Sequence, residues 1–236
     1  MEKALYMDDC YLKEFEAVVE SVKDGKYVVL DQTAFYPLSG GVSYDTGVFI
    51  RNSEEFPVVY VGKFDGKISH EASKPGLKVG DKVIGKINWE RRYKLMRLHT
   101  TAHLLASIFH NKGKALITGG QIEPEKSRMD FSLENFDRQI IDEYCSIANG
   151  LIQKGMPIKT YYMKREEALK IPDMVKLANK MPPEVETLRI VQIEGIDTQA
   201  DGGCHVKSLK EIGKIEILNV ENKGKSNRRV YFDVRD

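Results

Sequence analysis

Over the first ninety residues the apolar positions fall in short β-branched or aromatic runs. These are Tyr27-Val28-Val29-Leu30-Asp31, Gly47-Val48-Phe49-Ile50 and Phe56-Pro57-Val58-Val59-Tyr60-Val61. Turn residues separate them at Asp24-Gly25, Ser39-Gly40-Gly41, Asp65-Gly66 and Gly76. After a Gly80-Asp81 turn, Lys82-Val83-Ile84-Gly85-Lys86-Ile87 mixes polar and apolar positions as a half-exposed strand does. Short strands joined by tight turns predict a small β-barrel-like domain. At Trp89 the period lengthens. Leu95, Leu98, Ala102, Leu105 and Phe109 form one stripe of a helix over 89–111, with Arg91, Arg92, Lys94 and Arg97 mostly off it.

Farther on, Ala115-Leu116-Ile117-Thr118 reads as a strand, followed by a Gly119-Gly120 turn and Arg128-Met129-Asp130-Phe131. A second helix, from about Asn135 to Gln153, is marked by Phe136, Ile140, Tyr144, Ile147 and Leu151. Gly155-Met156-Pro157 ends it, because glycine tolerates a left-handed cap and proline cannot continue a helix. Ile158 to Met163 is strand-like. Glu166 to Lys180 is a short helical excursion, interrupted by Pro172 and closed by Pro182-Pro183. Leu188–Ile193, His205–Leu209, Lys214–Val220 and Arg229–Val234 make the last third strand-rich. The expected fold is α+β: a barrel-like domain over 1–89, then an α+β domain over 90–236 with helices packed on a mainly antiparallel sheet.

Composition bounds this picture. With 236 residues, 42% of them hydrophobic, the chain can bury a substantial core, which argues against disorder. No apolar run reaches membrane-spanning length and Met1-Glu2-Lys3-Ala4 opens no signal peptide, so the cytoplasm is the expected compartment. The cysteines Cys10, Cys145 and Cys204 are odd in number and far apart, which excludes a disulfide framework. A net charge of +1 says nothing of nucleic acid, but basic clusters do occur. One is Arg91, Arg92, Lys94 and Arg97, the other Lys223, Lys225, Arg228 and Arg229.

The strongest chemical signal is His99 and His103, one helical turn apart, with His205 about a hundred residues later in Asp201-Gly202-Gly203-Cys204-His205-Val206. Side chains at i and i+4 of a helix share a face, so one ion can bridge the two imidazoles. The double glycine lets the later segment approach closely and deliver further ligands. His70 and His110 have no such setting: His70 falls in an apparent loop after Ile68-Ser69, and His110 ends the helix.

Motifs in a fixed order carry the argument further. They are Leu30-Asp31-Gln32-Thr33-Ala34-Phe35-Tyr36-Pro37 with Gly40-Gly41 and Asp45-Thr46-Gly47, then Arg97-Leu98-His99-Thr100-Thr101-Ala102-His103-Leu104-Leu105. Next come Ile196-Asp197-Thr198-Gln199 leading into Gly202-Gly203-Cys204-His205-Val206, then Glu211-Ile212-Gly213, Glu221-Asn222-Lys223-Gly224-Lys225 and Arg228-Arg229-Val230. In these the chain resembles the free-standing alanyl-tRNA editing proteins (the AlaX family, in its longer two-domain form) and the editing domain of alanyl-tRNA synthetase. The resemblance implies an aminoacyl-tRNA hydrolase that works in trans on alanine tRNA mischarged chiefly with serine, with glycine a second candidate. It also implies Zn2+ held by His99, His103 and His205. Such an ion can activate water or anchor the substrate, and residue types do not choose between the two.

Two positions depart from the family pattern. In its cysteine-x-x-x-histidine arrangement, Asp201 stands at the cysteine and Cys204 at the threonine before His205. Either Cys204, the softer donor, or Asp201, which keeps the spacing, completes the ligand set, and three-histidine coordination is the third arrangement. The glycine-rich loop ends in Val42 where the family usually has glutamine, which removes a polar group from that position. Discrimination of serine from alanine needs a group that hydrogen-bonds the serine hydroxyl. The resemblance points to Thr118, with Thr33 as runner-up, although both also suit ordinary strands. Phosphate contacts are expected from Arg91, Arg92, Arg97, Arg228 and Arg229. Two other readings differ in kind: a hydrolase of another misacylated tRNA, and a non-catalytic tRNA- or protein-binding module with zinc as a staple.

Overall fold

The apolar runs of the first ninety residues close on themselves. The computed structural model describes residues 3–133, 137–171, 174, 176, 178 and 183–236. By contact density the chain divides into two units, Met1–Leu95 and Met96–Asp236. Trp89, the expected boundary, is where the long helix begins.

The first unit contains β1 (Lys3–Ala4), β2 (Glu14–Lys23), β3 (Tyr27–Leu30), β4 (Gln32–Thr33), β5 (Gly47–Arg51), β6 (Glu54–Phe64), β7 (Lys67–Ala72) and β8 (Lys82–Ile87). β2-β3-β7-β6-β5-β8 form a closed barrel, and β1 pairs in parallel with β4. Neither β2 nor β7 stood out as an apolar run. β2 interleaves glutamates with Phe15, Ala17 and Val19, all three buried, which is the alternation of a strand with one wet face. β7 turns Ile68, His70 and Ala72 inward in the same way. The barrel core is aromatic: Phe35 packs edge-on against Phe15, Phe49 and His70, with ring centroids 5.5–5.8 Å apart.

His70 is therefore a fully buried strand residue and not a loop residue. Nδ1–H donates to the Val28 carbonyl (2.9 Å), and in the neutral ring that burial favours Nε2 accepts from the Thr33 hydroxyl (2.9 Å). Thr33 thus commits its proton to the barrel interior. Ser39 and Val42 exchange backbone hydrogen bonds across Gly40 and Gly41, whose φ values of 60° and 82° suit a primed two-residue turn. Val42 is buried in this unit, which accounts for an apolar residue at that position.

Arg92, at the start of the long helix, is 1% exposed. Its guanidinium engages both carboxylate oxygens of Asp45 and donates to the carbonyls of Cys10 and Ala34, while Asp45 also accepts from the Tyr36 amide. The expectation of a phosphate contact at Arg92 is corrected: the side chain ties residues 10, 34, 36 and 45 together. Removing one partner of such a buried pair costs about 3–5 kcal/mol. Arg91 donates to the Tyr44 carbonyl and Ser43 Oγ, both at 2.9 Å.

The long helix α1 (Trp89–Gly113) carries the core of the second unit from Met96 onward. The expected stripe of Leu95, Leu98, Ala102, Leu105 and Phe109 is buried, but so is every other residue from Leu98 to Phe109. A helix covered all round must satisfy its polar side chains internally. Thr100 and Thr101 accordingly donate to the carbonyls four residues back, and Ser107 to the Ile196 carbonyl. Around α1 lie β9 (Ile117–Gln121), β10 (Ser127–Phe131), α2 (Arg138–Lys154), β11 (Ile158–Lys164), α3 (Arg165–Ala168), β12 (Thr187–Ile193), β13 (Asp197–Ala200), β14 (Lys214–Asn222) and β15 (Arg228–Arg235). They form two antiparallel sheets, β14-β15-β10-β9 and β11-β12-β13. This is the α+β arrangement expected.

Several local expectations change. Gly119 and Gly120 lie within β9 and not in a turn; a Cβ on Gly119 would sit 3.0 Å from Asp130 Oδ2 across the strand pair. His205–Leu209 forms no strand. α2 ends at Gly155 in the left-handed conformation, as read, but its buried face is Ile141, Tyr144, Cys145, Ala148 and Ile152, one residue round from the expected stripe. Ile140 faces solvent, and Phe136, Pro172, Lys180 and Pro182 lie outside the described residues. On the buried face Asn149 both donates to the Ile215 carbonyl and accepts from the Ile215 amide, along the edge strand β14. Among the described residues no helix is long and apolar enough to cross a membrane.

His70 sets a pH dependence. Burial lowers its pKa from 6.5 to about 4, so the folded state holds it neutral while the unfolded chain takes up a proton below 6.5. Its contribution is complete above pH 6.5 and is lost as pH falls toward 4, by about 3 kcal/mol at roughly 1.4 kcal/mol per pH unit. The unfolding free energy from denaturant titration is expected to fall as pH is lowered across that window, and His70→Asn, which does not titrate, to flatten the profile. An equally steep profile in that variant would assign the effect elsewhere.

Candidate metal centre

His99, His103, Asp201 and His205 converge, each offering one ligand atom within 4.8 Å of all the others. Asp201 Oδ2 lies 3.6 Å from His99 Nε2 and 3.5 Å from His103 Nε2, and Asp201 Oδ1 lies 3.4 Å from His205 Nε2. Tetrahedral ligands about 2.0–2.1 Å from zinc are separated from one another by roughly 3.3 Å. The spacing and the donor types both fit a metal ion.

The outer nitrogens define the tautomers. His99 Nδ1 faces the Cys204 carbonyl at 3.4 Å. His205 Nδ1 faces Thr100 Oγ1 at 3.1 Å, and that hydroxyl has already committed its proton to the Met96 carbonyl (2.8 Å), so it can only accept. His103 Nδ1 stands 3.4 Å from Asp197 Oδ2. Each ring thus has an acceptor at Nδ1 and turns Nε2 inward, the orientation of metal-binding histidines.

Charge follows from burial. Burial drives His99 down to about 4 and holds His205 well below its ordinary value. Burial also opposes charge on His103, but Asp197 and Asp201 overcome it and raise that imidazole to about 9. Against burial, the surrounding imidazoles keep Asp201 well below the usual carboxylate range. A half-buried carboxylate faced by the Nε2 atoms of three imidazoles attracts a cation.

Backbone geometry brings Asp201 and His205 together. Gly203 passes so close to His99 that a Cβ would lie 2.7 Å from Nδ1 and 2.9 Å from Asp201 Oδ1. Its amide donates to Asp201 Oδ1. Arg189, buried on β12, donates to the carbonyls of Asp201 and Gly203, both at 2.9 Å, and so fixes the turn. Of the two candidates for the fourth ligand, Asp201 is in the cluster and Cys204 is not; Cys204 instead turns its carbonyl toward His99 Nδ1.

The remaining candidates lie elsewhere. Thr118 is exposed on the edge strand β9 and donates to Asn227 Oδ1 at 2.8 Å. Arg228 is 4% exposed and wrapped by the carbonyls of Gly224 and Asn227, so its expected phosphate contact is corrected. Arg229 pairs with Asp130 (2.8 and 2.9 Å), and Arg97 spends donors on the Ile212 and Arg235 carbonyls. The reading of residue types missed Arg189 and the buried acid Asp197. Asp197 stands in a quoted motif, but nothing in that run marks it as buried.

This constellation, on an α+β unit in a chain that also contains a closed barrel, defines a module related to the tRNA synthetases. A family description for tRNA synthetases class II (A) matches residues 4–91. Another, for the threonyl and alanyl tRNA synthetase second additional domain, matches 188–231, which includes the Asp201–His205 turn. The alanyl-tRNA editing protein AlaX-M of Methanosarcina barkeri is 50% identical over 243 residues, covering 100% of both chains. That of Saccharolobus solfataricus is 49% identical over 238 residues, again 100% of both. The alanine–tRNA ligase of Saccharolobus islandicus is 37% identical over 227 residues, 92% of this chain but 25% of the ligase. The chain belongs to the family of alanyl-tRNA editing proteins.

Gly203→Ala is expected to push the turn away from His99, at a cost of about 1–3 kcal/mol. Denaturant unfolding and a metal-binding titration should both register the loss. Unchanged values in both would show that the turn has room to spare.

Proposed function

We propose that the protein is a hydrolase of the ester bond in mischarged alanyl-type tRNA, acting chiefly on seryl-tRNA(Ala), with glycine a second misacylated residue to test. The observation that carries this reading is the cluster of His99, His103, His205 and Asp201 in a full-length relative of alanyl-tRNA editing proteins. The editing unit is residues 90–236, and the barrel of residues 1–89 is accessory. His99, His103, His205 and Asp201 hold Zn2+; three imidazoles and a carboxylate are a set zinc takes readily. When bound, the ion supplies a Lewis acid that can polarise a carbonyl or bind electronegative substrate atoms.

The protein's own residues do the positioning. Asp197, Thr100 and the Cys204 carbonyl orient the imidazoles, and Arg189 with Gly203 fixes the turn that bears Asp201 and His205. Thr118 is the candidate reader of the serine hydroxyl; with its proton on Asn227, its oxygen is free to accept one. Arg91, Arg92, Arg97, Arg228 and Arg229 are all engaged within the protein, so phosphate contact shifts to exposed cations such as Lys114 and Lys225.

Seryl-tRNA(Ala) should be deacylated roughly 10²-fold or more faster than alanyl-tRNA(Ala), since a site that bonds a hydroxyl rejects the analogue lacking it. Equal rates, or none on either, overturn the proposal. His103→Ala should abolish the reaction and lower bound zinc measured by elemental analysis. Thr118→Val should keep the metal and slow seryl-tRNA hydrolysis about 10–100-fold, the worth of one or two hydrogen bonds. A second reading, a binding module with a structural ion, is favoured by the four protein donors, which fill a tetrahedron without substrate. It expects His103→Ala to lower the melting temperature with no activity to lose.

A further inference from the structure

Behind His103 lies a buried acid. Asp197 begins β13, and its side chain is fully buried. Oδ1 accepts from Lys176 Nζ at 2.6 Å, and Oδ2 accepts from Gln199 Nε2 at 2.8 Å. Lys176 is itself 4% exposed, so this is a desolvated ion pair and not a surface contact. Burying such a pair costs more than it returns unless further hydrogen bonds complete it. The remaining direction of Oδ2 meets His103 Nδ1 at 3.4 Å. That nitrogen is buried and makes no hydrogen bond among the described residues, so the carboxylate meets it as an ion-pair approach.

We infer that Asp197 is a positioning residue for the metal centre: it holds the His103 ring and tautomer so that Nε2 faces inward, with Lys176 as the counter-ion that keeps the carboxylate available. The inference rests on the metal reading of His99, His103, Asp201 and His205. Each of the three ligand histidines then has a different outer acceptor: a backbone carbonyl, a threonine hydroxyl and, for His103 alone, an ionised carboxylate. A carboxylate partner raises ligand basicity most, and loss of such partners typically weakens metal affinity about 10–100-fold. Lys176 also links this pair to the start of β9. Its carbonyl accepts from the Ile117 amide at 2.9 Å, next to Thr118.

The test is chelator competition with Zn2+, and Co2+ as a spectroscopic probe, on the full-length chain. Wild type, Asp197→Asn, Asp197→Ala and Lys176→Met are compared, with the melting temperature of each metal-free protein recorded. Asp197→Ala and Lys176→Met should weaken Zn2+ binding about 10–100-fold and shift the Co2+ absorption bands. Asp197→Asn, which keeps an acceptor without the charge, should fall between. Should Asp197→Ala fail to fold, Asp197→Asn decides alone. A lower metal-free melting temperature with unchanged affinity and cobalt spectrum reduces Asp197 to a structural role and overturns the inference. No uptake of either ion by wild type overturns the metal reading as well, so the two failures are told apart.

Discussion

A negative charge held in a half-buried space walled by three imidazoles is the constraint on which the second unit is built. Withdrawing a carboxylate even partly from water is costly, and among the described residues no arginine or lysine side chain pairs with the Asp201 oxygens to offset this. The imidazoles, an amide from Gly203 and a shared proton or metal ion must do so instead. Each of these demands geometry. The rings need their outer nitrogens satisfied, which occupies Thr100, Asp197 and the Cys204 carbonyl. The amide must come within reach of the carboxylate, which leaves no room for a side chain at position 203. Arg189 then grips two carbonyls of the turn, and its place on β12 ties the turn to the sheet.

The helix that supplies His99 and His103 can run through the middle of the unit only because its polar side chains look after themselves. Threonine at 100 and 101 returns each hydroxyl proton to the preceding turn, and Ser107 reaches a loop carbonyl. The same helix begins in the other unit with Arg92, where burial is made tolerable by Asp45 and two backbone carbonyls. One helix thus contains two solutions to the burial of polar groups: local return of a proton, and full enclosure of a cation by acceptors gathered from distant parts of the chain.

Much of this was legible in the residues. The turns and β-branched runs announced a barrel, the period change at Trp89 announced the helix, and the i, i+4 histidines with the Gly202-Gly203 turn announced the site. Where reading went astray, the missing information was three-dimensional. Arg92 and Arg228 look like surface cations until the acceptors that surround them are known, and those come from residues far away in sequence or folded back across a turn. β2 and β7 were hidden by charge and by a histidine on what are alternating strands. The face of α2 shifted by one because Cys145 and Ala148, small and weakly apolar, did not mark themselves as buried beside Ile141 and Ile152. Asp201 against Cys204 turned on which of the two the turn at Gly203 brings into the cluster, and only the fold supplies that.

Asn149 has a consequence beyond holding α2 to its sheet. An edge strand offers unpaired amides and carbonyls to any passing chain, and β14 is such an edge. By giving Ile215 both a donor and an acceptor, the Asn149 carboxamide stands in for one residue of a neighbouring strand that is not there. The ladder is ended from within at that point by a side chain fixed to a helix. A second molecule approaching this border finds the hydrogen-bonding positions of Ile215 already taken, and the sheet is kept from growing there.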